Sequence, residues 1–281
     1  VDALEQSISR WLPSSQTSLI NRNAAERPVT VGSDLIEILL RARHFYETTD
    51  GVFDVTVGPL LSLWGFYREL NALPDEAVVK QTLQKVGLNH VKLDIKARTV
   101  FFERPGMYLD FGGIGKGLAL DRAAVVLREQ GVQSARLSIG TSTLVALGAP
   151  PDATGWTVGL RSPYNSNDDA HFATVKIRDE SLSTSSGAER YVELDGKRYS
   201  HILDPRTGMP ARSDVISATA IAPTGVESDA LSTAFFVMGL EATRAYCKQH
   251  PHVRALLLIE SGDAPETVYV NISNEMIKEQ Q

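Results

Sequence analysis

Apolar positions in the first fifty residues recur at helical spacing. Leu4, Ile8 and Trp11 stand four and three apart and predict a short amphipathic helix, with the polar run Pro13-Ser-Ser-Gln-Thr following it. A second helix is predicted after Ser33-Asp34, through Leu35, Ile38, Leu39, Ala42, Phe45 and Tyr46, stopping at Asp50-Gly51. Its apolar positions cover more than one face, which marks it as central. Pro74-Asp75-Glu76 opens a third, with acidic residues where the helix dipole is positive, and Val86-Gly87 closes it. The period then shortens to that of strands at Val91 to Leu93, Thr99 to Phe102 and Met107 to Leu109. These lead into Asp110-Phe-Gly-Gly-Ile-Gly-Lys-Gly, after which Leu120, Ala123, Ala124 and Leu127 return to helical spacing up to Gly131.

The second half reads mostly as strand: Leu137 to Ile139, Thr157 to Leu160, Phe172 to Ile177 and Val215 to Ala222. Asp195-Gly196, between Tyr191-Val-Glu-Leu and Lys197-Arg-Tyr-Ser, is a two-residue hairpin signal that delivers His201 to a strand end. A helix is expected from Asp229 to Met238, a break at Gly239, a helix from Leu240 to Lys248, and strands at Ala255 to Ile259 and Thr267 to Val270. Helices segregated from runs of antiparallel strands predict an α+β fold rather than a parallel βαβ series. The loop Ser162-Pro-Tyr-Asn-Ser-Asn-Asp-Asp reads as an insertion, and no repeat or linker divides the chain.

The 281 residues suffice for one large domain or two modest ones, and 43% hydrophobic with 22% charged residues is the balance of a globular protein with a packed core. A net charge of -6 offers no basic field for a phosphate backbone, which argues against nucleic acid. Cys247 is the single cysteine, so neither an internal disulfide nor a thiolate metal cluster is available. That fits the cytoplasm without requiring it. No run of about 18 apolar residues could span a membrane. The chain begins Val1-Asp2 without Met, and we expect a leader or first strand to have been lost.

Three segments carry candidate chemistry. The glycine run 112–117 sits between strand and helix, where backbone N–H groups favour an anion. It completes neither the Walker A nor the dinucleotide spacing, and a tight turn that permits close packing is the alternative. Asp229, Ser232 and Thr233 share a helix face and offer hard oxygens suited to Mg2+; alternatively Asp229 caps the helix and the hydroxyls merely pack. The segment His201-Ile-Leu-Asp204-Pro205-Arg206-Thr207-Gly208 presents a His that can act as general base, with Asp204 to orient it, or an ordinary turn. Aromatic residues near Phe53 and in Leu63-Trp-Gly-Phe can stack on a planar ligand or plug the core.

Taken together and in order, Thr49-Asp-Gly-Val-Phe-Asp-Val-Thr-Val-Gly-Pro-Leu, Leu63-Trp-Gly-Phe, Leu109-Asp-Phe-Gly-Gly-Ile-Gly-Lys-Gly with Asp121-Arg, Thr184-Ser185, Ser200-His-Ile-Leu-Asp-Pro-Arg-Thr-Gly and Ser228-Asp-Ala-Leu-Ser-Thr span almost the whole chain. In this combination they resemble the ApbE family, the FAD:protein FMN transferases. The resemblance implies one two-lobed α+β domain over residues 1–281, with mixed and antiparallel sheets flanked by helices and flavin between the lobes. It implies cleavage of FAD at its pyrophosphate, transfer of FMN to a Thr or Ser hydroxyl of an acceptor protein, and release of AMP. By the same resemblance Mg2+ is held by Asp229, Ser232, Thr233 and the backbone carbonyl of Gly113. Lys116 contacts the cofactor, Asp110 accepts hydrogen bonds from it, and Trp11, Val52, Phe53, Asp54 and Leu203 line its site. His201 matches the base for the acceptor hydroxyl.

The chain departs from the family pattern at Ser186-Gly187-Ala188, where a polar residue and Tyr are usual, and at Gly140-Thr141, where Gly-Gly is usual. Two further readings stand beside transfer: an FAD pyrophosphatase releasing FMN and AMP to water, and a flavin-carrying maturation factor of a respiratory enzyme. Expected partners are FAD and a redox-complex subunit bearing the acceptor hydroxyl. Members of the family are commonly exported, which implies the periplasm, with membrane attachment only through a lipid anchor on the lost leader.

Overall fold

In the computed structural model, which describes residues 2–67, 72–163, 171–188, 190–194, 196–262, 264–273 and 276, the chain divides into two compact units. Unit 1 comprises Val1–Gly115 and Arg190–Ala211, and unit 2 comprises Lys116–Glu189 and Arg212–Gln281. The elements run α1 (Asp2–Ile8), α2 (Gln16–Asn23), β1 (Val29–Thr30), α3 (Ser33–Thr48), α4 (Gly58–Leu63), α5 (Glu76–Leu83), β2 (Val91–Asp94), β3 (Thr99–Phe102) and α6 (Gly115–Glu129). There follow β4 (Ala135–Ile139), β5 (Thr143–Leu147), β6 (Trp156–Arg161), β7 (His171–Ile177), β8 (Ser181–Ser186), β9 (Tyr191–Leu194) and β10 (Lys197–Ser200). The chain closes with β11 (Leu203–Asp204), β12 (Met209–Pro210), β13 (Val215–Ala222), α7 (Gly225–Gln249), β14 (Arg254–Ile259) and β15 (Glu266–Val270). The fold is α+β, as the order of periodicities predicts: every paired strand is antiparallel, and helices flank the sheets.

In unit 1 the predicted helix at Ser33–Thr48 forms and buries Leu35, Ile38, Leu39, Ala42 and Phe45. Asp50 and Gly51 take left-handed backbone to end it, with φ of 50° and 75°. Two expectations fail here, the reach of the first helix to Trp11 and the strand at Met107 to Leu109, and one helix was not foreseen. The polar run after Pro13 opens that helix, α2, which Ser15 caps by accepting from the Ser18 N–H at 3.0 Å. The inward face of α2 has one apolar residue, Ile20, beside hydroxyls, Thr17 Oγ1 donating to the Ser7 carbonyl at 2.8 Å and Ser18 Oγ to that of Arg10 at 3.3 Å, so hydrophobic spacing could not find it. The first helix also stops at Ile8, which leaves Trp11 beyond it. Met107 to Leu109 forms no strand. The Asn21 side chain takes the place of a neighbouring strand, its Oδ1 accepting from the Leu109 N–H at 2.7 Å and its Nδ2 donating to the Leu109 carbonyl at 3.0 Å. The β9–β10 hairpin forms, with Leu194 opposite Lys197 and Gly196 at φ 71°; Asp195 lies outside the described residues.

Asp54 pins this unit internally. Its Oδ1 accepts from Thr56 N and Oγ1, both at 2.7 Å, and its Oδ2 from Leu88 N at 3.1 Å. Burial pushes its carboxyl up to about 6 despite those bonds. A raised carboxyl favours the protonated folded form, so its contribution is full below the unfolded value and is lost as pH rises through about 6. We therefore expect the stability of wild type relative to Asp54→Asn to fall by about 3 kcal/mol between pH 4 and 7 in urea titrations. A difference that stays constant with pH would mean that the carboxyl is not desolvated.

Unit 2 is organised on a six-stranded sheet, order β15-β14-β13-β8-β5-β4. One face carries α7, packed on β8 and β13, and the other carries the β6–β7 hairpin, with Leu160, Val175 and Ile177 against Leu182, Ile221 and Leu256. Helix α6 covers β4 and β5 through Leu120, Ala124 and Leu127 on Leu137, Val145 and Leu147. Strand β8, Ser-Leu-Ser-Thr-Ser-Ser, escapes the hydrophobic pattern because its buried side chains are mostly hydroxyls. The expected break at Gly239 is present, with φ 81° and ψ 178°. The helix before it starts earlier than expected: Thr224 is its N-cap, accepting from Glu227 N at 3.3 Å. Asp229 therefore lies inside α7, and the reading of it as that helix's own cap is overturned.

Candidate functional site

The first turns of α6 and α7 meet backbone to backbone. A Cβ on Gly117 would lie 2.0 Å from the Gly225 carbonyl oxygen, and one on Gly225 would lie 2.5 Å from that of Gly117. Each helix then caps the other. Asp121, on α6, accepts from the N–H groups of Gly225 at 2.5 Å and Val226 at 2.9 Å. Asp229, on α7, accepts through Oδ2 from the Gly117 N–H at 3.0 Å. These are the N–H groups that a helix cannot satisfy internally, and a carboxylate there also meets the positive end of the dipole. Within the glycine run, close packing is thus the role of Gly117.

Asp229 is 3% exposed, and its other oxygen is equally engaged. Oδ1 lies 3.2 Å from Lys116 Nζ and accepts from Thr143 Oγ1 at 3.2 Å and Ser183 Oγ at 3.3 Å. One turn on, Ser232 and Thr233 turn their hydroxyls to the Asp229 carbonyl at 3.0 and 3.5 Å. Ser185 Oγ stands 3.0 and 3.3 Å from those two hydroxyls. The structure therefore brings together Lys116, Asp229, Ser232 and Thr233, four of the residues singled out from the sequence. It adds Thr143 and Ser183, which the sequence reading missed, and Ser185, which that reading quoted only as part of the family pattern. A signal existed in β8: Ser181, Ser183 and Ser185 alternate, and each meets α7, at Ser228, Asp229 and Ser232 respectively. A nearly buried carboxylate among hydroxyl and carbonyl oxygens is of the chemistry that suits a hard cation. Among the described residues no group of three or more His, Cys, Asp or Glu that could hold a metal ion is assembled. A cavity of about 630 Å3 in the same unit is lined by Arg136, Ser138, Leu144, His171, Leu182 and Thr184, on the sheet face that carries the β6–β7 hairpin rather than α7.

In unit 1 Asp110 is the centre of a second cluster. Its Oδ2 lies 2.8 Å from Arg10 Nε and accepts from Tyr67 Oη at 2.5 Å, and its Oδ1 accepts from Gly112 N at 2.7 Å. Burial, and then the charge of Asp110, drive the Tyr67 phenol upward, so it stays a donor. Trp11 stands beside this cluster and is exposed. Val52, Phe53 and Asp54 are buried, Phe53 edge-on to Phe45. Leu203 is buried with Leu60, Trp64 and Phe66, and Gly113 lies in the turn that precedes α6.

His201 follows β10, and its Nδ1 is 2.9 Å from the Arg190 carbonyl. A carbonyl only accepts, so Nδ1 carries the proton and the basic lone pair resides on Nε2. Asp204, expected to orient this ring, is instead bound to Arg206, at 2.9 Å from Nε and 2.8 Å from Nη2. The Arg190 carbonyl does the orienting.

Comparison with known proteins yields a consistent set of relatives. The family model described as the ApbE family matches residues 1–257. The FAD:protein FMN transferase of Treponema pallidum is 34% identical over 257 residues, 87% of this chain and 70% of that protein. That of Escherichia coli K12 is 30% identical over 271 residues, 95% of this chain and 76% of its own length. Among solved structures, the flavin transferase ApbE from Vibrio cholerae superposes with a TM-score of 0.85 at 25% identity, covering 96% of this chain and 85% of that one. The ApbE protein from Thermotoga maritima gives 0.83 at 33% identity, over 94% and 84%.

Proposed function

The chain belongs to the ApbE family, and from that premise we propose that it is an FAD:protein FMN transferase acting with Mg2+ on a Thr or Ser hydroxyl of an acceptor protein. The observation that carries the reading is Asp229, a nearly buried carboxylate held by an ammonium, a helix N–H and two hydroxyls. In the reaction the acceptor oxygen bonds to the phosphorus of the FMN half, the bond from that phosphorus to the bridging oxygen breaks, and AMP leaves. The hydroxyl proton passes to Nε2 of His201, whose tautomer the Arg190 carbonyl fixes. In phosphoryl transfer, positioning and charge neutralisation supply most of the catalysis.

The residues present fit Mg2+: one carboxylate and neutral oxygens, the set this ion takes when substrate phosphates and water complete its shell. Asp229 would hold it with Ser232, Thr233 and the carbonyl of Gly113. When bound, the ion supplies positive charge to the phosphate oxygens. Lys116, paired with Asp229, supports the same charge balance and is a natural contact for a phosphate. Trp11 and Asp110 would meet the flavin itself.

The test is incubation with FAD, Mg2+ and candidate acceptor subunits, reading covalent flavin by in-gel fluorescence and AMP by chromatography. Covalent flavin with stoichiometric AMP supports transfer. FMN and AMP without covalent flavin would make the protein a hydrolase, and the absence of AMP with every divalent metal would end the enzyme reading. His201→Ala is expected to lower transfer by about a hundredfold, in the range of a general base, with FAD affinity little changed. Parallel loss of binding and transfer would instead make His201 structural.

A further inference from the structure

Arg10 stacks against Trp11 and Tyr67 at once. Its guanidinium carbon lies 3.5 Å from the Trp11 ring centroid and 3.3 Å from that of Tyr67. The two rings are 6.0 Å apart at 74°, so no planar ligand can lie between them in parallel stacking. The guanidinium is the filler of that gap. Its Nε pairs with Asp110 at 2.8 Å, and the Arg10 and Asp110 side chains are only 9% and 12% exposed. Tyr67 closes the ring of contacts by donating to the same carboxylate oxygen at 2.5 Å. Trp11, by contrast, is 65% exposed, an indole beyond the end of α1 with one face backed by a fixed cation. A pocket of about 200 Å3 beside it is lined by Arg10, Trp11, Ser18, Asn21, Arg22 and Tyr108.

An exposed indole on a short connection has rotamer freedom that a stacked ligand would have to quench. Arg10 removes that freedom before the ligand arrives. It also ties the indole to Asp110, so that a stacking surface and a carboxylate acceptor are fixed as one rigid piece. A planar fused heteroaromatic ring with an N–H on its edge uses both features together, which is the chemistry of a flavin ring. Lysine cannot substitute, because an ammonium reproduces the ion pair but not a planar cation packed against two rings.

We propose that Arg10 is a positioning residue for the flavin ring, acting through Trp11 and Asp110; the assignment rests on the transferase reading above. It follows that Arg10→Ala raises KM for FAD about tenfold and leaves kcat within about twofold, since the chemistry at the phosphate is untouched. Arg10→Lys gives an intermediate KM. The dissociation constant for FMN alone, read from quenching of flavin fluorescence, should rise by the same factor as KM. Tyr67→Leu, which removes the second wall and leaves Arg10 in place, should shift KM in the same direction and serves if Arg10→Ala does not fold. Unchanged KM and FMN affinity in folded Arg10→Ala or Tyr67→Leu overturn the proposal, as does a fall in kcat at constant KM. A wild-type protein that neither binds FMN nor cleaves FAD would instead overturn the transferase reading.

Discussion

Asp229→Ala is expected to lower FAD cleavage by about a thousandfold, the upper end of what one preorganised electrostatic group contributes. The loss should come from chemistry rather than unfolding. Thr143 Oγ1 and Ser183 Oγ lie 3.0 Å apart and keep each other as partners once the carboxylate is gone. The Gly117 N–H loses its cap and Lys116 its counter-charge, which together cost about 2 kcal/mol, a modest fraction of a domain's stability. Asp229→Asn separates the two effects. The amide oxygen can still accept from Gly117, so the melting temperature should recover, while AMP release stays low because the charge is missing. Turnover of AMP together with thermal unfolding of both variants decides the matter; wild-type turnover in either would remove Asp229 from the site.

Gly117→Ala should be strongly destabilising. In a helix Ala is ordinarily better than Gly by about 1 kcal/mol, so propensity alone predicts a gain. The added Cβ, however, would stand 2.0 Å from the carbonyl oxygen of Gly225 and 2.3 Å from its carbon. Both are backbone atoms, and relief requires moving the first turn of α7 and Asp229 with it. Overpacking against side chains costs about 1–3 kcal/mol, and a backbone obstacle should exceed that, lowering the melting temperature by on the order of 10 °C. Gly225→Ala tests the same contact from the other helix. A stabilised Gly117→Ala protein would show that the close approach does not exist.

The parts of this fold that were legible in the sequence are those whose burial is apolar. Helix α3 announced itself through Leu35, Ile38, Leu39 and Phe45, and the break at Gly239 was visible because only glycine takes a φ of 81° there easily. Helix α2 and strand β8 were not legible, because their buried faces are Thr17, Ser18, Ser181 and Ser183, whose burial depends on hydrogen bonds that appear only in three dimensions. The site divides the same way. Asp229, Ser232 and Thr233 share one helix and their spacing was sufficient to group them, whereas Thr143 and Ser183 reach the same carboxylate from two strands. His201 stood out in the sequence as a candidate base, but the group that orients its ring is the carbonyl of Arg190, eleven residues earlier, and not the carboxylate three residues on. Arg10 carried no signal in the sequence, because the two rings its guanidinium packs against come together only in the folded unit.

The reciprocal caps of α6 and α7 also bear on how the protein is made. Asp121 and Gly225 are 104 residues apart in the chain, and Gly117 and Asp229 are 112 apart. As the chain emerges from the ribosome, α6 is synthesised long before the carboxylate that completes its first turn, and contacts of such separation form late and slowly. The proposed metal- and phosphate-binding capacity should consequently arise in one step, at the closing of that loop, rather than accumulate with chain length. A nascent chain released before residue 229 would hold most of the sheet-forming sequence, with Lys116, Thr143 and Ser183, and lack the carboxylate on which those three converge.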